Sequence, residues 1–341
     1  MKYLGIWLTK LPQDLLEENF VPLWSALQRD LAEWKTLKIS WFGKISILKM
    51  NVLPRMLYLF QTVPIHIPPA YFSMIQADCT RFVWNDTRPR ISYCAMTRPK
   101  RVGGLAVPDF HLYYQASHLL LVVEWTGGGR HALWQDLELG ATPHPTGVLP
   151  WIDPARRSPQ VHRHPYIGTT LRVWRSTMRR ASLSTYPSPL LPLEDNPAFP
   201  AGVHPLIQHR LGGARWPRAF HFLSGQDLSP PWDNRLRDNS LSMLERFNFT
   251  QISHYLRSLP ARDRLLHPCL PFEELAKAKH PISHGISMIY RILQMAVGEP
   301  SLTFEHTWEQ MLDATITEAQ WKDTYELAHR GSPQTRLQSN S

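Results

Sequence analysis

The sequence predicts a mainly α-helical protein with a short β piece at its N-terminus. Apolar residues recur every three or four positions through most of the first 125 residues and again after about residue 240, a spacing typical of amphipathic helices. Proline stands where two of these segments begin, and a helix tolerates it in its first turn. The region between them is rich in proline, arginine, histidine and serine, and proline excludes long helices there.

The first elements follow from local patterns. Tyr3 to Thr9 is β-prone and alternates in part, which predicts a short strand. Pro22 is expected to begin a helix that continues to about Leu37. Ser40 is expected to cap a second helix, from Trp41 to about Val63, which Pro54 should bend or split because it lacks an amide hydrogen.

Two more helices are expected in the N-terminal part. One runs from Pro69 to about Asn85, with Cys79 on its apolar side, and another is capped by Asp109 and continues to about Trp125. Gly103 and Gly104 predict a turn between them, and Gly127 to Gly129 should end the last helix. Together these segments indicate a compact helical domain over residues 1–125.

The rest of the chain divides by composition. Residues 126–235 are interpreted as a loop-rich, partly mobile linker or platform around one helix, Thr169 to Ala181, with apolar residues on one face and four arginines on the other. Residues 236–330 predict a smaller C-terminal helical region, and residues 331–341 a disordered tail. The helices expected in the C-terminal region are Ser240 to Phe247, Phe249 to Leu259, Gly285 to Ala296 and Thr317 to Ala328.

The charge is positive and unevenly distributed. The 341 residues carry a formal net charge of +9, of which +6 lies in residues 1–110. A basic N-terminal third favours a polyanionic partner, because each phosphate that it neutralises releases counterions.

Cysteine usage and hydropathy exclude some classes of protein. The three cysteines are an odd number without a Cys-x-x-Cys spacing, so they form neither a disulfide framework nor a zinc knuckle. There is no uninterrupted apolar run of the roughly 18 residues that a membrane-spanning helix needs. We expect an intracellular protein, nuclear or cytoplasmic, that is not secreted and does not bind membranes.

Several motifs follow one another in a particular order within the first 120 residues. Their order and spacing resemble the segment just after the palm in reverse transcriptases of non-LTR retrotransposons, the long interspersed (LINE-like) type. Shorter stretches around Arg246 and Tyr290 resemble the region downstream of the thumb in that family. The N-terminal motifs are Tyr3-Leu4-Gly5-Ile6, Ile39 to Ile45, Lys49 to Arg55, Leu57 to Phe60, Phe82-Val83-Trp84-Asn85 and Gly103 to Phe110.

The resemblance implies a fold and an ancestral role. It implies that residues 1–125 form a thumb-like helical bundle and that residues 126–235 are wrist-like. In the family the Tyr-Leu-Gly-Ile stretch lies deep inside a longer polyprotein, so the chain is expected to be a truncated fragment. The parent activity would be RNA-directed DNA synthesis, in which this part grips the template–primer duplex.

No catalytic centre is expected. Reverse transcriptases hold two metal ions with aspartates, usually as an Asp-Asp pair, and the sequence contains no such pair. The doublets Glu17-Glu18 and Glu273-Glu274 are interpreted as solvated helix faces. His144, His162 and His164 have no partners at ligand spacing and are interpreted as surface histidines. We therefore expect no enzyme activity, no cofactor, no metal and no small-molecule substrate.

Basic residues of the N-terminal domain are the candidate site. They lie away from the apolar stripe or in the connections between helices, where they would contact the backbone of an RNA–DNA hybrid or duplex weakly and without reading bases. A solvated helix face remains the alternative for each of them. Trp41, Trp84 and Tyr58 are candidates for stacking on bases, with burial in the core as the alternative. The candidate nucleic-acid-binding residues are Lys44, Lys49, Arg55, Arg81, Arg88, Arg90, Arg98, Lys100 and Arg101.

Three functional interpretations remain open from the sequence. The first is a non-catalytic remnant of a retrotransposon reverse transcriptase that binds nucleic acid. The second is a helical module that binds protein, and the third is a translated relic without function.

Overall fold

The structure is a computed structural model, and it confirms the mainly helical fold with a short N-terminal β piece. It describes residues 1–126, 138, 140–180, 186–203, 217–223, 242–266, 269–277, 284–296 and 303–331, without the side chains of 303–304 and 328–331. The chain divides into two compact units. Unit 1 comprises Met1–Tyr114 with Gly298–Ser341, and unit 2 comprises Gln115–Val297.

Helices account for most of the described residues. In chain order they are α1 (Val21–Lys35), α2 (Trp41–Ile47), α3 (Leu53–Thr62), α4 (Pro69–Trp84), α5 (Tyr93–Thr97), α6 (Phe110–Thr126), α7 (Pro159–Arg163), α8 (Ile167–Arg180), α9 (Met243–Ser258), α10 (Pro271–Lys277), α11 (Gly285–Ala296), α12 (Thr303–Leu312) and α13 (Glu318–Gly331). Short 3₁₀ turns lie at Pro12–Asp14, Lys100–Val102, Pro154–Arg156, Ala219–Phe222 and Arg262–Leu265.

The expected N-terminal strand is a tight hairpin of two short strands. β1 (Lys2–Tyr3) pairs antiparallel with β2 (Ile6–Trp7). Leu4 and Gly5 form the turn with φ angles of 45° and 84°. Positive φ at both central positions gives the two-residue turn whose twist matches a hairpin, and glycine adopts this conformation without steric cost.

Two prolines set the geometry of the first helices. Pro22 and Pro54 each follow a π-helical turn, Leu16–Phe20 and Leu48–Val52. The residue before each proline donates its amide five residues back, to Leu16 O and Leu48 O. Since proline has no amide hydrogen and its ring clashes with the preceding turn, the widened turn accommodates the ring while the helical path continues. The expected split at Pro54 is therefore a π-helical turn between α2 and α3.

A buried carboxylate joins α1 to α4 in the core of unit 1. Trp24 Nε1 and Gln28 Nε2 donate to Asp78 Oδ2 at 2.9 and 2.7 Å, and Arg81 pairs with the other carboxylate oxygen. Fully buried apolar side chains of α1 and α3 and of the turns beside them form another part of this core. These include Phe20, Leu27, Leu48, Val52, Met56 and Phe60.

Unit 2 is built on aromatic packing and on a cluster of buried aliphatic residues. Trp174 of α8 lies with its ring centroid 5.4 Å from that of Trp151 and 4.7 Å from that of Phe272 on α10. A second cluster joins α9 to the proline-rich segments. It contains Leu191, Leu193, Phe199, Val203, Ala219, Phe222, Phe249, Ile252, Leu256, Leu259 and Leu265.

These contacts correct the expected division of the chain. The described residues of the 126–235 region bury side chains such as Trp151 and Leu190 completely, in the same unit as α9, α10 and α11. They are core rather than linker, because proline prevents helix formation without preventing burial. Helices α12 and α13 belong to unit 1 and not to a separate C-terminal domain. The predicted tail after residue 331 and Gly127 to Gly129 lie outside the described residues.

Most long helices match their predicted bounds within a few residues, and α9 differs. Two helices were expected, with a break at Asn248, but one continuous helix runs through it. Ser242 and Glu245 form a capping box that begins it, with Ser242 N donating to Glu245 Oε2 at 2.7 Å. No bounds were predicted for α5, α7, α10 and α12, although the Glu273-Glu274 doublet of α10 was expected on a helix. Three of them have only five or seven residues, too few for a periodic pattern.

Replacing Leu48 should test the packing around the second π-helical turn. Leu48→Ala should lower the free energy of unfolding by about 2–5 kcal/mol, since the side chain is fully buried. Met50 lies two residues later and is 75% exposed, so Met50→Ala should change it by less than about 0.5 kcal/mol. Denaturant unfolding of both variants measures the difference. Equal effects would mean that this turn does not face the core.

Candidate nucleic-acid interface

Lys44, placed by the sequence analysis on an exposed face, is buried. It is 1% exposed, and its Nζ donates to Phe82 O at 3.0 Å and to Asn85 Oδ1. Phe82 O belongs to the last turn of α4, where carbonyl groups lack helical partners and a positive charge is favourable. Burial, and then the charge of Lys35, lower the pKa of Lys44. The residue caps α4, and its expected position on an exposed helix face is wrong.

Two further candidates are engaged in ion pairs within unit 1. Arg55 Nη1 on α3 lies 2.6 Å from Asp30 Oδ2 on α1, and Arg81 pairs with Asp78 one turn earlier on α4. The Arg55 pair is partly exposed, so solvent and salt weaken it. These arginines would have to exchange a carboxylate for a phosphate before binding nucleic acid.

A rigid turn after α5 holds three more candidates. The amides of Gly104 and Ala106 donate to Pro99 O and Arg98 O at 3.1 and 2.8 Å. A Cβ atom on Gly104 would lie 2.1 Å from Arg98 O, so only glycine permits this approach. Arg98 is buried at 8% exposure, which corrects its expected place on the surface. Lys100 and Arg101 are exposed.

Lys49 and Lys100 form the centre of the surviving basic surface. Burial, and then the charge of Lys100, lower the pKa of Lys49, which places two like charges near each other. No ion pair forms with Lys49, Lys100 or Arg101 among the described residues. Arg88 and Arg90, in the connection after α4, are also exposed. We define Lys49, Lys100 and Arg101 as the basic turn cluster.

An acidic helical pair lies beside this cluster. Residues 303–331 contain six carboxylate side chains and only two of lysine or arginine. Helix α13 packs against the turn Lys100–Val102, and its Tyr325 donates to Glu305 of α12. A polyanion that approaches the basic turn cluster from the side of α13 therefore meets a negative potential.

The aromatic candidates are mostly part of the fold. Trp84 is buried, and Trp41 is half-buried, with ring centroids 4.1 Å from Phe42 and 5.8 Å from Trp84. Tyr58 is 42% exposed, and its hydroxyl donates to Leu4 O in the hairpin turn. Trp41 and Trp84 pack on each other, which favours the core alternative over stacking on bases.

The acidic doublets differ from each other. Glu17 and Glu18 are exposed as expected, but Glu273 is buried and its two oxygens accept from Arg264 Nη2 at 2.7 Å. Ser188 Oγ and Leu270 N also donate to it, at 2.8 Å each. Its interpretation as a solvated residue is wrong, because neighbouring helix positions face different surroundings.

No group of three or more histidine, cysteine, aspartate or glutamate side chains that could hold a metal lies within the described residues. His164 Nδ1 accepts from Ile167 N at 3.2 Å at the start of α8, a local structural role. Among the described helices, none is long and apolar enough to cross a membrane.

A scan against models of known protein families found no match to this chain. One clear set of basic residues, which lies in unit 2, was not among the predicted binding residues. Arg157 was not singled out, and the arginines of α8 were taken only as a polar helix face. Their spacing of three and four residues was a signal that they share one side of the helix.

Lys44→Met should separate structural from binding roles. Methionine keeps most of the apolar stem but leaves Phe82 O without its donor, so we expect a loss of about 1–3 kcal/mol in unfolding free energy. Nucleic-acid affinity of the folded variant should be unchanged. Lys38→Met, at an exposed position, is the control and should affect neither property. Weaker binding by a stable Lys44→Met variant would contradict the capping role.

Proposed function

We propose that the chain is the thumb-like and downstream part of a non-LTR retrotransposon reverse transcriptase, and that it binds the backbone of an RNA–DNA hybrid or duplex without catalysing synthesis. The observation that carries the binding proposal is the basic turn cluster. It consists of exposed or half-exposed cations on a rigid turn and an adjacent helix, with no ion pair among the described residues.

Charge chemistry supports a backbone contact rather than base readout. The cluster presents lysine ammonium groups and one guanidinium, which neutralise phosphates whatever the sequence of the bases. The nearby aromatic rings of Trp41 and Trp84 pack against each other. Binding is therefore expected to be weak, independent of sequence and strongly salt-dependent.

The family assignment is supported by the order of the motifs along the first 120 residues. Several motif residues have defined roles in unit 1. Gly5 forms the hairpin turn, Pro54 follows a π-helical turn, and Gly104 permits the tight turn that presents the cluster. A helical unit with these local constraints is compatible with a thumb, as the resemblance implies.

Neutralising the basic turn cluster should weaken nucleic-acid binding. Replacing Lys49, Lys100 and Arg101 together with Gln should reduce affinity for every duplex sequence. It should also lower the slope of log affinity against log salt by up to about three units, about one for each lost phosphate contact. Fluorescence anisotropy with a labelled RNA–DNA hybrid, over a salt series, measures both quantities.

A second triple variant controls for net charge. Lys10, Arg29 and Lys38 are exposed elsewhere in unit 1, and their replacement with Gln removes the same charge. The control should keep most of the salt slope. If both triple variants lose the same slope, binding is a diffuse effect of charge and this turn is not the contact surface.

The purified chain should extend no primer on an RNA template with Mg²⁺ or Mn²⁺, because the sequence has no Asp-Asp pair to hold the two metal ions. An active reverse transcriptase added to the same reaction must extend the primer, which excludes an inhibitory preparation. Nucleotide incorporation that follows the chain through every purification step would overturn the non-catalytic assignment.

One observation favours the second candidate, a protein-binding module. Large apolar side chains are exposed around a groove between the hairpin and α3, which is lined by Trp7, Leu23, Pro54 and Tyr58. Of these, Trp7 and Tyr58 are 45% and 42% exposed. Clustered apolar surface of this kind is typical of interaction sites. If the unchanged chain binds no nucleic acid even at low salt, this candidate is favoured over the first.

A further inference from the structure

A cavity of unit 2 is lined by arginines. It has a volume of about 500 Å³, and four guanidinium groups border it, from Arg157 in the segment before α7 and from Arg172, Arg175 and Arg179 on α8. His162 and Ser176 add further polar groups, and no carboxylate lies among its described lining residues. Cavities of this size commonly hold ligands as large as a nucleotide.

The sequence of α8 builds one wall of this cavity. Arg172, Arg175 and Arg179 recur at spacings of three and four residues and therefore share one side of the helix. Trp174 anchors the helix between the rings of Trp151 and Phe272, so the arginines project from a fixed backbone. Helix α7 lies close against it, because a Cβ atom on Gly168 would be 2.6 Å from His162 O.

Arg157 brings a buried and incompletely bonded cation. It is 8% exposed, and its Nη2 donates to Pro150 O and Ile152 O at 3.3 and 3.4 Å. Its Nε is buried without a hydrogen-bond partner. A buried donor without an acceptor is costly and rare in folded proteins, and a bound anion would satisfy it.

Among the described lining residues, the arginines of the cavity also lack a carboxylate that would compensate their charge. Arg172, Arg175 and Arg179 form no ion pair among the described residues. Burial, and then the charge of Arg175, lower the pKa of Arg157 to about 10, with Asp153 partly opposing this. Like charges at close range repel, so the arrangement favours a multiply charged anion over water alone.

We propose that this cavity binds linked phosphate groups, supplied either by a free triphosphate or by consecutive phosphates of a nucleic-acid strand. Guanidinium groups match phosphate oxygens in a bidentate geometry, and several arginines on one wall suit a chain of phosphates better than a single one. This inference is independent of the basic turn cluster in unit 1.

Replacement of the three α8 arginines tests the proposal in the chain of 341 residues. Inorganic triphosphate is titrated by calorimetry, and a labelled single-stranded RNA of about 12 nucleotides by anisotropy. Replacing Arg172, Arg175 and Arg179 with Gln should weaken at least one of these ligands by about tenfold or more, since charged hydrogen bonds are the strong ones. The exposed position of all three favours retention of the fold.

Arg156, Arg163 and Arg180 provide a matched control. They are exposed, belong to the same unit and do not line the cavity, and their replacement with Gln removes the same net charge. The control should weaken either ligand by less than about threefold, because exposed charges away from a site act only through the screened general field. In addition, triphosphate should raise the melting temperature of the unchanged protein, which needs no variant.

The outcomes separate the two sources of phosphate. Loss of triphosphate binding with RNA binding intact identifies a free polyphosphate, whereas loss of RNA binding that triphosphate also competes away identifies a strand. If the cavity variant binds both ligands as well as the control variant does, or if the unchanged protein binds neither, the proposal is overturned. If the triple variant does not fold, two double variants replace it. Arg172→Gln with Arg179→Gln is then compared with the control Arg163→Gln with Arg180→Gln, and the same outcomes decide.

Discussion

Buried carbonyl groups of the proline-rich segments need hydrogen-bond donors, which a backbone with many prolines supplies only in part, and this constraint shapes unit 2. Arg218 meets it from a buried position, donating to Leu190 O at 2.7 Å, Gly147 O at 3.1 Å and Thr126 O at 3.3 Å. One guanidinium thereby joins segments that are 28 to 92 residues apart in sequence. Burial lowers its pKa to about 9, and hydrogen bonds to carbonyl oxygens offset part of the cost of desolvation.

The same chemistry changes how the net charge of +9 should be understood. Lys44 donates a hydrogen bond to the last turn of α4, and Arg264 forms an ion pair with the buried carboxylate of Glu273. Buried cations of this kind stabilise backbone geometry and are unavailable to a polyanion. The net charge of the sequence therefore overestimates how many cations can contact a polyanion. The relevant quantity is the number of cations without internal partners.

The sequence predicted those parts of the fold that local rules determine. Ser40 and Asp109 cap α2 and α6 as expected, by accepting the amide hydrogens of Gly43 and Leu112. It failed where tertiary contacts decide. The burial of Lys44 depends on α4, which follows it by about 25 residues or more, and no helical pattern around Lys44 contains that information. Residues 126–235 were predicted to be a linker because proline content reports on helix formation and not on burial, whereas Trp151 and Leu190 within them are fully buried. Helix α12 was missed although Trp308 and Met311 carry the required spacing.

Cations without internal partners are costly to a fold unless an anion compensates them, since their mutual repulsion remains when the chain is compact. The basic turn cluster and the α8 arginines share this property, each within its own unit. They differ in chemistry. Lysines on a surface turn form screened contacts with any phosphate backbone, whereas guanidinium groups around a cavity require a shape that fits. The basic turn cluster therefore favours fast, unselective association with phosphates, and the α8 arginines favour a ligand of defined shape. Both proposals therefore rest on phosphate chemistry, and they differ in the form of the phosphate that each site would bind.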